Sequence, residues 1–195
     1  MCDLSSSEFS VVRRNLRIRQ GILWVELWNT MVSIVTEGVV VVAWLFQINL
    51  SDGGVPKLPV PSVVVHKTGA EGDRQRDLKH HGGPDRALCI YSLEIIMALQ
   101  QEGHPIFPGA TGENLTFAGI EWHTLQPGLR MKVGLNLEIE MVSFTEPCRY
   151  IKDAFIDGAF VRILQDRHPG WSRLYARVLT PGKIRVGDPV IVVNS

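Results

Sequence analysis

The chain has 195 residues, enough for one domain of ordinary size with a small appendage. It is 45% hydrophobic and 21% charged, which fits a globular protein with a substantial core and excludes a low-complexity chain. Twenty basic side chains balance twenty acidic ones, so no global field favours nucleic acid or acidic lipid, and any anion must be held by a local site.

Residues 1–38 differ in texture from the rest. They carry an arginine cluster (Arg13, Arg14, Arg17, Arg19) and no clear turn grammar, and they read as an N-terminal extension to a domain over 39–195. Their start lacks the uninterrupted apolar run and small-residue cleavage site of a signal peptide. The apolar run Gly38–Ile48 falls short of the roughly 20 residues that span a bilayer. Extending it backwards brings in Glu37, Asn29 and Glu26, so a buried strand is expected and no membrane association.

From Val39 the pattern is regular. "VVVVAWLFQINL" predicts a strand, "SDGGVPKLPVP" a turn and an extended Pro-flanked segment, and "SVVVHKTGAEGD" a second strand ending in glycines. "RALCIYS" predicts a short strand and "SLEIIMALQQEG" a helix, N-capped by Ser92, ended by Gly103, with Ile95, Ile96 and Leu99 on its apolar face. A short strand is expected at Asn114–Phe117. "MKVGLNLEIEMVSF" predicts a strand pair around Gly134–Asn136, with Leu135, Leu137, Ile139 and Met141 on one face. "RYIKDAF" reads as a short helix, and "RLYARVLTPGKIRVGDPVIVVN" as two strands about a Pro-Gly turn. Many short strands with one good helix give a mainly β fold, a β-barrel with helical insertions.

Three scattered cysteines, Cys2, Cys89 and Cys148, form neither a disulfide framework nor a CxxC zinc site, and a reducing cytoplasm follows as the expected setting. Cys148 stands between a strand and a predicted helix, near Arg149 and Lys152. Such a junction favours thiolate, the form that ligates metals and accepts sulfur; the competing reading is a small apolar side chain. Cys89 lies within "RALCIY", where core packing is the simpler account. His80 and His81 are adjacent and point apart on an extended chain, a poor metal pair. Gly82 and Gly83 let the backbone turn and present N–H groups to an anion, with Asp85 and Arg86 to orient or pair. A solvated turn explains the same residues. "GATGENL" is a second glycine-rich loop matching no standard phosphate motif.

The ordered series "SDGGVPK", "EGDRQRD", "HHGGPDRALCIYS", "GATGENLT", "TEPC" and "WSRLYARVLTPGKIRVGD" resembles the MOSC domain, the module named for the C-terminal part of molybdenum cofactor sulfurases. The resemblance covers residues 40–195 and is strongest to short, stand-alone bacterial members. It implies a barrel of the MOSC type, like the β-barrel of pyruvate kinase, and a pocket for molybdenum cofactor (molybdopterin). Cys148 takes the place of the family's functional cysteine, as molybdenum ligand or as persulfide carrier. The pocket implied by the resemblance is built from His81, Gly82, Gly83, Asp85 and Arg86 with Gly112, Glu113 and Asn114. The implied activity is reduction of small N-hydroxylated compounds; the alternative is sulfur transfer, with a cysteine desulfurase loading Cys148. No flavin, haem or iron–sulfur motif is present in the chain, so reduction calls for a separate electron-donating reductase.

Overall fold

The computed structural model describes residues 43–74 and 83–193. The extension expected over residues 1–38 lies outside the described residues, as do His80, His81 and Gly82.

Strand β1 (Ala43–Leu50) buries Leu45 and Ile48 completely and turns Trp44 and Phe46 outward. A register shift between Leu45 and Gln47 marks a bulge that bends the strand. The short β2 (Leu58–Val60) folds back along the end of β1. β3 (Ser62–His66) and β4 (Gly69–Ala70) follow as a tight hairpin.

β5 (Leu88–Ser92) is buried at every residue, the mark of a strand covered on both faces. It feeds directly into α1 (Leu93–Gln101), the crossover to β6 (Leu115–Ala118), which runs parallel to β5. Ser92 caps α1 as its sequence predicts: its hydroxyl accepts from the Ile95 N–H at 3.3 Å. Ile96 and Leu99 are buried, Ile95 lies at the edge of that face, and Gly103 ends the helix at a φ of +90°.

β7 (Arg130–Val133) and β8 (Leu137–Phe144) form the expected pair, with Met131, Val133, Leu137, Ile139 and Met141 inward. Leu135 departs from its predicted face. It sits in the intervening turn and is 97% exposed, because the turn breaks the two-residue period there. The closing segment holds three strands, not two: β9 (Leu174–Thr180), β10 (Gly182–Arg185) and β11 (Pro189–Val193). β10 leaves β9 and pairs with β3, so the residues about Pro181 do not form the expected hairpin.

Neighbouring strands run β11-β7-β8-β9-β5-β6-β1, and β1 pairs back onto β11, closing the barrel. β10, β3 and β4 make a separate three-stranded sheet. Closure leaves the barrel's seven strands without a free edge. Tyr91 ties the interior to the following loops: it packs edge-on against Trp122 at 6.1 Å, and its hydroxyl donates to the Trp171 carbonyl at 2.9 Å.

The register aligns the end of β1, the starts of β6, β5 and β9, and the end of β8 at one rim. Segments 51–57, 109–114, 145–151 and 171–173 therefore converge there.

Candidate functional site

At this rim lies a cavity of about 300 Å³. Its walls include Gly53, Gly54 and Val55 after β1, Thr111, Gly112 and Asn114 before β6, and Glu146, Cys148, Tyr150 and Ile151 after β8. Cys89 on β5 and Arg173 and Tyr175 at the start of β9 complete the interior side, with Lys57 and Arg74 also on the lining.

Cys148 is half-buried and directly precedes Arg149–Ala154, a run of 3-10 turns where the sequence suggested a short helix. Its backbone is extended and its thiol makes no capping bond, so the side chain is left to the cavity. Cys89, expected in the core, is buried and also lines the cavity. It stands directly across the strand pair from Tyr175, which puts both side chains on one face of the sheet. Burial raises the Cys89 thiol above its ordinary pKa, although the nearby Arg173 opposes this, and burial likewise pushes the Tyr175 phenol up to about 12. Both groups are therefore neutral near pH 7.

The 109–114 loop is fixed from within. Glu113, placed by the resemblance among the pocket residues, does not line the cavity. It is wholly buried beneath the loop, its carboxylate accepting from the Gly109 N–H at 2.6 Å and the Thr111 hydroxyl at 2.8 Å. Burial raises the Glu113 pKa, and those two bonds counter the rise. Gly109 has φ +92°, and a Cβ there would run into the Lys57 carbonyl. Gly112, at φ +84°, approaches Val55 so closely that a Cβ would lie 2.9 Å from its Cγ1. These two glycines are required by positive φ and close approach together.

Asn114 joins three segments. Its N–H donates to the Cys89 carbonyl at 2.7 Å, its Oδ1 accepts from the Cys89 N–H at 3.1 Å, and its Nδ2 donates to Asp73 at 2.9 Å. Asp73 also accepts from the Ser51 N–H at 2.9 Å and pairs with Lys57 at 2.5 Å. The Lys57–Asp73 pair is nearly buried and offsets most of the lysine charge.

Arg173 is the cation on the interior wall. It is 6% exposed and its Nη1 donates to the Thr111 carbonyl. Its Nε has no hydrogen-bond partner among the described residues. Burial alone would weaken the guanidinium's hold on its proton, but Cys89, Tyr175 and Glu113 around it keep its pKa above the ordinary value.

Of the residues implied for the pocket, Cys148, Gly112 and Asn114 meet at the cavity, whereas Gly83, Asp85 and Arg86 do not line it. Gly83 is exposed. Asp85 pairs instead with Arg177 at 2.8 Å, and the Arg86 guanidinium lies 5.4 Å from the centre of the Tyr175 ring. Lys57, Arg173 and Tyr175 are lining residues that sequence reasoning did not single out; "SDGGVPK" and "WSRLYARV" are the segments that hold them.

The MOSC domain family model matches residues 77–191. YflK, an uncharacterised protein of Bacillus subtilis, is 31% identical over 136 residues, covering 69% of this chain and 60% of the relative. Protein YiiM of Escherichia coli is 30% identical over 137 residues, covering 68% and 59%. The chain thus spans about 60% of the length of these curated relatives. Among solved structures, YiiM from Geobacillus stearothermophilus superposes with a TM-score of 0.60 at 25% identity, over 78% of this chain and 75% of that one. Escherichia coli YiiM gives 0.57 at 23%, over 77% and 70%, a likeness of fold. The ordered motifs, the closed barrel and the family match over more than half its length agree: the chain belongs to the MOSC domain family.

Proposed function

We propose that this protein binds molybdenum cofactor in the Cys148 cavity and reduces small N-hydroxylated compounds. The observation that carries the reading is the joint placement of a partly exposed thiol and three cations, Lys57, Arg74 and Arg173, on the lining of one cavity. The donor set fits the group. A cysteine thiolate is a suitable soft ligand for molybdenum. The cavity's cations suit a phosphate-bearing ligand, and the unpartnered Nε of Arg173 marks polar capacity that the protein itself leaves unused.

When bound, the cofactor supplies a two-electron metal centre. The chain's part is to hold and orient. Cys148 offers the protein ligand, Gly53, Gly54 and Gly112 keep the walls clear of side chains, and Asn114 fixes the floor between β5 and the Lys57–Asp73 pair. Conversion of R–NHOH to R–NH2 and water takes two electrons and two protons. A separate reductase would supply the electrons, in a cytoplasmic setting that keeps the thiols reduced.

The test is turnover by protein purified anaerobically from a cofactor-producing host. With a reduced viologen as donor and an N-hydroxylated amidine as substrate, the wild type is expected to form the amidine and Cys148→Ser to form none. A cofactor-loaded wild type inactive on amidine, guanidine and amine N-hydroxy compounds would overturn the reduction. The partial exposure of Cys148 also suits sulfur transfer. Extra sulfur on Cys148 after treatment with a cysteine desulfurase and cysteine would then favour that reading.

A further inference from the structure

We propose that Arg173 forms an oxyanion subsite on the interior wall of the cavity, one that takes a phosphate or carboxylate group. This rests on and deepens the cofactor-binding reading, which offers three cations to a phosphate-bearing ligand without choosing the one that anchors it.

Of the cations on the lining, Lys57 is held by Asp73 at 2.5 Å, and Arg74 reaches out to Asp52 at 3.0 Å, where both side chains are solvated. Arg173 is buried, and among the described residues no carboxylate forms an ion pair with it. Its immediate surroundings are a neutral thiol, Cys89, a neutral phenol, Tyr175, and the Thr111 carbonyl. The carboxyl group whose charge acts on it, Glu113, spends its oxygens on Gly109 and Thr111, and burial opposes its ionisation. A buried cation in such company is costly unless an anion arrives to complete it.

Arg173 lines the cavity, and its buried Nε lacks a hydrogen-bond partner among the described residues. Planar guanidinium suits a two-oxygen partner. Arg86, the arginine that the motif series pointed to, does not line the cavity, whereas Arg173 at the start of β9 does.

The experiment uses the full chain purified without cofactor and follows the rate at which iodoacetamide alkylates Cys148, read by peptide mass spectrometry. Inorganic phosphate, phenyl phosphate and benzoate are titrated separately at constant ionic strength. At least one is expected to slow alkylation saturably in the wild type. Arg173→Gln is expected to weaken that protection by roughly 10- to 100-fold, the worth of a charge-assisted hydrogen bond. Arg173→Lys keeps the charge, guards against a folding defect, and is expected to retain weaker protection. Preference for phenyl phosphate assigns the subsite to the phosphate end of a cofactor-like ligand; preference for benzoate assigns it to an acidic substrate. No protection by any of the three, or equal protection in folded Arg173→Gln, would overturn the proposal. Protection in a protein that never acquires molybdenum leaves the subsite standing and removes the cofactor reading instead.

Discussion

Gly109 shows how tightly single residues set the cavity. A methyl group there meets the Lys57 carbonyl at a positive φ, whereas Gly128, also at positive φ, has nothing within 4 Å of an added Cβ. Gly109→Ala is expected to cost about 3 kcal/mol and Gly128→Ala about 1 kcal/mol in denaturant unfolding; equal costs would remove the close approach as the reason for Gly109. Asp73→Asn leaves the Lys57 ammonium nearly buried without its countercharge. A loss of roughly 3 kcal/mol is expected, measured the same way, and a loss below about 0.5 kcal/mol would mean that the pair contributes little. At this scale the sequence singled out Cys148, Gly112 and Asn114, which line the cavity, because each sits inside a local motif. It did not disclose the Arg173 subsite or the Asp73–Lys57–Asn114 junction, whose members lie on separate segments and meet only when the strands align.

The elements were legible where the side-chain period was uninterrupted. β5, α1, β7 and β8 follow their sequence patterns, and Ser92 caps α1 as expected. The period misled at Leu135, where a turn intervenes, and at β10, whose partner β3 is distant in sequence. No local signal distinguishes a strand that folds back on its predecessor from one that leaves it.

The 109–114 loop carries a pH dependence of its own. Burial raises the Glu113 pKa above 4.5, so as pH rises the unfolded chain releases this proton before the folded chain does. The stability associated with protonated Glu113 is complete below about pH 4.5 and declines as pH climbs through the folded-state pKa. Glu113→Gln cannot ionise. Its stability relative to wild type is expected to increase steadily from about pH 4.5 through that window, in urea midpoints taken at successive pH values. A constant difference would show that Glu113 does not titrate differently on folding.

For the whole molecule, composition and turn spacing were sufficient to indicate a β-barrel, but not its closure. Closure depends on β1 meeting β11, the two ends of the described chain, through a register that no local pattern encodes. That closure brings the ends of β1 and β8 and the starts of β5, β6 and β9 to one rim, where Cys148, Arg173, Gly53, Gly54 and Gly112 share a cavity. The most direct test of the central claim is molybdenum and pterin content after gentle anaerobic purification from a cofactor-producing host, comparing wild type with Cys148→Ser. The account predicts molybdenum and pterin together in the wild type and loss of molybdenum in the folded variant. Wild-type protein that holds neither, despite an adequate supply of cofactor, would contradict it.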